Sequence, residues 1–127
     1  MLGAAILTAA AAQAQAVPSR ANVENALRWD YGLVCRNLID ACIDKDGNDI
    51  FPTPDFAVSA LACAPAARGR ATCSFTSVRS FGPDRREPRQ RCTGTLQRYD
   101  GAIGGASWTF VIPNPRRQPN SALLSCN

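Results

Sequence analysis

Val23, Leu27, Tyr31, Val34, Leu38 and Cys42 recur at intervals of four, four, three, four and four residues, the stripe of an amphipathic helix. Ser19 or Asn22 is placed to cap its start, and Glu24 suits the positive end of the helix in the first turn. Gly32 weakens the middle by about 1 kcal/mol relative to alanine. Trp29 and Tyr31 read as packing residues of this helix rather than as a ligand box. The stretch 44–54, Asp-Lys-Asp-Gly-Asn-Asp-Ile-Phe-Pro-Thr-Pro, has the composition of a turn and loop. Beyond it the apolar pattern shortens to strand-like lengths. Strand-like pieces fall at 56–64, 70–78, 90–99 and 107–112. Cys92, Gly94 and Leu96 share one face of the third, and Trp108, Phe110 and Ile112 share one face of the fourth. Such alternation describes a sheet with one buried face. The expected fold is therefore α+β, with one N-terminal helix packed on a roughly four-stranded antiparallel sheet. A small all-β domain is the alternative if 23–42 is not helical.

The first sixteen residues follow a different rule. An apolar run from Leu2 to Ala12 leads into Ala14-Gln15-Ala16, the small-x-small pattern of a signal-peptidase site. The expectation is a signal peptide over 1–16, although no Lys or Arg precedes the run, and a single domain over 17–127. An apolar run of about eleven residues is too short to span a bilayer core of about 30 Å. No later segment is long enough either, so no membrane span is expected. The destination is export, to the periplasm or the extracellular medium. The preference for Ala, Arg and Pro over Lys and Ile suits a GC-rich bacterial genome.

Six cysteines, all after residue 16, reinforce that reading. An even number in a small exported chain forms a disulfide framework, and a core this small gains from one. The chain has no C-x-x-C, the spacing of a thioredoxin-like pair or a zinc ribbon. A hairpin centred on Arg68 places Cys63 directly opposite Cys73, close enough to bond. Cys92 is then expected to tie the third strand to Cys126. That leaves Cys35 with Cys42, which an unbroken helix would hold about 10.5 Å apart, too far for a bridge. This last pairing requires the helix to end soon after Cys35.

Charge is unevenly spread. Residues 21–55 carry three basic and seven acidic side chains, whereas 56–127 carry ten basic and three acidic. Arg79, Arg85, Arg86, Arg89, Arg91 and Arg98 crowd one loop and the following strand, and a guanidinium grips carboxylate or phosphate in a bidentate way. These six are the candidate partner-binding residues, facing an unknown protein or an anionic component of the cell envelope. Nucleic acid is not expected, because aromatic stacking residues do not alternate with the arginines. The short segment 65–69 at the disulfide-bounded hairpin tip offers an inhibitor-type knob in the same class of function.

The acidic loop is the other candidate. Asp44, Asp46, Asn48 and Asp55 stand at positions one, three, five and twelve of an EF-hand-like frame. The sixth position, where that frame needs glycine, holds Asp49, and the twelfth holds Asp rather than Glu. An ordinary Asp-Gly turn with solvated charges accounts for the loop better, and no metal or other cofactor is expected. The same aspartates could in principle supply a carboxylate pair for a small envelope hydrolase, and a calcium-stabilised structural module is a third reading. With no histidine and no G-x-S-x-G, Ser-His-Asp and Cys-His catalysis are excluded. The expectation that follows is a small exported non-catalytic binding or inhibitor-type module.

Overall fold

The computed structural model describes residues 17–38, 46, 54–100, 106–113 and 122–127, with backbone alone for 33–38 and 106. The proposed signal peptide lies outside the described residues. Helix α1 (Arg20–Leu38) is followed by strands β1 (Asp55–Ala66), β2 (Arg70–Ser80), β3 (Gln90–Asp100), β4 (Ala106–Phe110) and β5 (Leu124–Cys126). The described residues thus form an α+β fold, one helix against an antiparallel sheet stapled by disulfides.

The helix begins where a capping box allows it. Ser19 Oγ accepts the Asn22 backbone N–H at 3.1 Å, and Asn22 Oδ1 accepts the Ser19 N–H at 2.8 Å. Both candidate caps act together, satisfying two donors that the first turn leaves orphaned. Glu24 does not serve the first turn. It lies in the second and accepts the Val58 N–H of β1 at 2.9 Å. That contact ties the helix to the sheet and occupies a backbone donor on an edge strand. Val23, Ala26 and Leu27, at i, i+3 and i+4, form the buried face of α1. The helix continues through Cys35 to Leu38. Any Cys35–Cys42 bridge therefore spans the end of the helix, and it lies outside the described residues.

The strands are ordered β1-β2-β3-β4, and β5 pairs with β3. β4 runs beside β3 from Leu96 to Asp100 and β5 beside it from Cys92 to Gly94. The two short strands thus share one edge of a long one. α1 packs against both β1 and β4, so the ends of the strand order meet on one helix. Val58, Ala71, Cys73, Phe75, Cys92, Leu96, Trp108 and Phe110 bury against α1 to complete the core.

The hairpin register centred on Arg68 holds from Ala66↔Arg70 to Ala62↔Ser74 and then slips by one. From Ser59↔Thr76 to Asp55↔Ser80 the pairing is offset, so Ala60 and Leu61 together face Phe75. This is a β-bulge with Ala60 at φ +52°, a conformation that normally selects glycine. Without it, Phe56 and Val58 would share a face with Ala60, Ala62 and Ala64. With it, they share one with Leu61 and Cys63, and the apolar set stays together. Ala60→Gly is accordingly expected to stabilise the protein by about 0.5 kcal/mol, because the relief of left-handed strain exceeds the entropic cost of glycine. A melting temperature higher by about 3 °C is the signature; an unchanged or lower one would show that the bulge is unstrained.

Two cross-strand pairs are bonded. Cys63–Cys73 has a Cα separation of 4.0 Å and Cys92–Cys126 one of 4.1 Å, each joining directly opposed residues. Among the described residues, no helix is long and apolar enough to cross a membrane.

Candidate functional site

The arginine-rich segment after β2 is a folded-back loop. Phe81 N–H donates to Arg85 O at 2.8 Å, Glu87 N–H donates to Arg79 O at 2.8 Å, and Ser80 bridges to Arg86. Gly82, at φ +98°, makes the reversal that these bonds require. The loop thus extends the end of β2 instead of leaving it.

The six arginines divide into three groups. Arg79 is structural. Its Nε and Nη2 donate to Glu87 Oε2 at 2.9 and 2.6 Å, and its guanidinium lies 5.8 Å from the Tyr31 ring centroid and 5.4 Å from that of Phe81. Tyr31 meets Phe56 and Phe81 edge-on at 6.4 and 6.2 Å. Arg79 is thereby held by one carboxylate and two rings, joining helix, strand and loop. Arg85, Arg86 and Arg89 form the second group, all exposed on the loop. Arg85 lies over the Phe81 ring as well, 5.5 Å from its centroid. Among the described residues these three form no ion pair. Glu87 is taken by Arg79, which leaves Asp84 as the loop's other acid. Arg91 adjoins them at the start of β3 and donates to Thr76 Oγ1 at 3.3 Å. Arg98 stands apart. It lies seven residues further along β3, about 23 Å away by strand rise, and is paired with Asp100 at 2.9 Å. The structure therefore gathers Arg79, Arg85, Arg86, Arg89 and Arg91 at one end of the sheet and leaves Arg98 at the other.

Two expectations need correction here. Phe81 does interleave with the arginines, although Arg79, Arg85 and Tyr31 already use its ring. Trp29 is not a packing residue: it is 61% exposed. Tyr31 does pack, on the opposite side of α1.

Asp44 and Asn48 of the acidic loop lie outside the described residues. Asp46 occupies an exposed turn, and Asp55 opens β1, exposed and opposite Ser80. Among the described residues no cluster of three acidic or cysteine side chains is arranged to hold a metal.

Asp30 carried no signal in the sequence. It lines a cleft of about 210 Å³ with Tyr31, Phe56, Ser77 and Arg79. Burial pushes its carboxyl above the ordinary carboxylate range. Since the folded value lies above the unfolded one, this group's contribution to stability is complete below the unfolded value and is lost as pH rises through the folded one.

The hairpin tip is braced from within. Gln97 Nε2 donates to Arg68 O at 2.9 Å and to Gly69 O at 3.3 Å, while Gln97 Oε1 accepts Arg70 Nε at 3.0 Å. Arg68 itself sits at φ +65°, ψ +35°, so the tip is a rigid exposed knob and not the extended segment that adds as a strand to a partner.

No family model, no curated protein and no solved structure matches this chain.

Proposed function

We propose that this chain is a small exported non-catalytic binding module, periplasmic or secreted, whose arginine loop docks on an anionic partner. The observation that carries the reading is the exposed trio Arg85, Arg86 and Arg89, which form no ion pair among the described residues. They project from a loop braced by backbone bonds and by the Arg79–Glu87 pair, so little ordering is left to be done on binding. Two disulfides suit an oxidising compartment and add to that rigidity. Charge attraction between exposed groups is screened over a Debye length of about 8 Å at physiological salt, which gives the reading a clear signature.

Fluorescence anisotropy of a labelled poly-glutamate chain tests it. Binding is expected at low ionic strength, with affinity falling steeply as salt is added. The combined substitution R85A/R86A/R89A is expected to weaken it by about 30-fold, at roughly fourfold or less per exposed pair, without moving the melting temperature. Absence of binding, insensitivity to salt, or full affinity in the triple variant each overturns the reading.

A further inference from the structure

Trp29 and Tyr99 are the two most exposed large hydrophobic side chains among the described residues, at 61% and 55%. They come from different elements, α1 and β3, yet both line a single cleft of about 330 Å³. Isolated exposed hydrophobics are common, but two aromatic rings flanking one concavity are a different matter. Between them the cleft holds Asp30, Arg70 and Gln97. On the other side of Trp29 a second depression of about 420 Å³ carries Asn22, Asn25 and Ser107. Trp29 is thus the shared wall of two adjoining depressions that run past β4.

The polar groups in the first cleft are held in place and keep hydrogen-bonding capacity to spare. Gln97 is fixed by the tip carbonyls and by Arg70 Nε, and this fixes the plane of the Arg70 guanidinium. Only the Nε of Arg70 is spent on that bond. The terminal amino groups have no hydrogen-bond partner among the described residues. Asp30 likewise accepts no hydrogen bond among the described residues, although it is half-buried. Its oxygens still reach water, since no buried polar side-chain atom among the described residues lacks a partner, and a ligand hydroxyl would replace that water with a fixed donor. Burial pushes this carboxyl above its ordinary range, which favours its neutral form, able to donate as well as accept.

This combination selects a ligand class. A free anion would meet Asp30, and a purely apolar ligand would leave both Arg70 and Asp30 dry and unpaired. A sugar ring offers what the cleft lacks. One face is a patch of C–H groups that lies flat on an aromatic ring, and the rim carries hydroxyls that donate and accept at once. We infer that the groove divided by Trp29 is a saccharide-binding site, with Trp29 and Tyr99 as stacking platforms and Arg70 and Asp30 as the donor and acceptor that read ring hydroxyls. Two depressions in succession suit a chain of sugar units better than one monosaccharide. The site uses none of the loop arginines, so it stands whether or not the anionic-partner reading does.

The test exploits the two tryptophans of the chain, one exposed and one 5% exposed. Cellohexaose, maltohexaose and chitohexaose are titrated into the oxidised protein, following tryptophan emission with calorimetry alongside. At least one is expected to shift emission to the blue, since Trp29 moves from water to a covered site while Trp108 is already buried. Trp29→Ala and Tyr99→Ala are expected to raise Kd by about tenfold each, and Trp29→Phe to retain most of the affinity. R85A/R86A/R89A is expected to leave it unchanged. If none of the three sugars binds at millimolar concentration, or if binding survives Trp29→Ala undiminished, the proposal is overturned. Both alanine variants sit at exposed positions, so unchanged melting curves separate loss of binding from loss of fold.

Discussion

Replacing Cys92 and Cys126 together with alanine is expected to lower the free energy of unfolding by about 4 kcal/mol, against about 3 kcal/mol for the Cys63/Cys73 pair. The difference follows from the loops the bridges close. Cys92–Cys126 spans 34 residues and Cys63–Cys73 only 10, so the first restricts the unfolded chain more. Context adds to the contrast. Cys63 and Cys73 close a hairpin already held by pairing and by the Gln97 brace. β5 is three residues long, and Cys126 anchors a short ladder on β3. Its ladder consists of bonds such as Thr95 N–H to Leu123 O at 2.9 Å and the mutual pair of Arg91 and Asn127 at 3.0 and 2.9 Å. Urea unfolding measures the totals. Hydrogen exchange distinguishes the mechanism: Arg91 and Thr95 amides are expected to lose protection in the Cys92/Cys126 variant and keep it in the other. Equal losses of stability in the two variants, with Arg91 and Thr95 still protected, would refute the assignment of β5 to that bond. For a domain whose whole stability is of the order of 5–15 kcal/mol, a loss of about 4 is a large share.

The elements that local chemistry determines were readable from the residues alone. A 3.6-residue stripe behind Ser19-x-x-Asn22 marks α1, and the strand-like pieces on either side of Pro65-Ala-Ala-Arg-Gly69 mark the first hairpin and its opposed cysteines. What could not be read depends on tertiary context. The bulge at Ala60 carries no glycine to announce it. Its cause is the need to keep Phe56 and Val58 on the same face as Leu61 and Cys63, a condition imposed by the core. β5 is too short for any periodicity, and only its pairing with β3, where Cys126 stands opposite Cys92, reveals it. Trp29 falls between the apolar positions 27 and 31 of the helix, and only the placement of β4 decides whether a side chain there is covered.

The candidate sites divide along the same line. That Arg85, Arg86 and Arg89 cluster was apparent from their adjacency in sequence. That Arg79 belongs to the scaffold, and that Arg98 is remote, required the fold, because one is claimed by Glu87 eight residues later and the other by the length of β3. The groove beside Trp29 draws its groups from α1, β2, β3 and β4, from Asn22 to Ile112 along the chain. No window along the chain contains it.

Gly94→Val is expected to destabilise the protein by about 3 kcal/mol, although valine is a better strand residue than glycine by up to about 1 kcal/mol. Packing decides the sign. A Cβ on residue 94 would lie 2.6 Å from Cε1 and 3.0 Å from Cδ1 of Phe110, and 3.1 Å from the backbone oxygen of Leu123. Phe110 is buried and tilted against Phe75, with ring centroids 6.4 Å apart, and Phe75 is fully enclosed. The ring therefore has nowhere to swing without disturbing the centre of the core, and the Leu123 carbonyl is tied to Thr95 through the β5 ladder. Even Gly94→Ala meets the first clash and is expected to cost about 2 kcal/mol. A double-mutant cycle isolates the contact. Phe110→Leu removes the ring edge that the new methyl would strike, so Gly94→Ala is expected to cost at least 1 kcal/mol less in that background. Strict additivity would mean that the ring does not rest on Gly94, and the packing of β3 against β4 would then have to be drawn differently. The conclusion extends beyond stability. β4 forms one wall of the groove beside Trp29, so the close approach permitted by a missing side chain at residue 94 also sets where Thr109 and Phe110 stand in the proposed saccharide site.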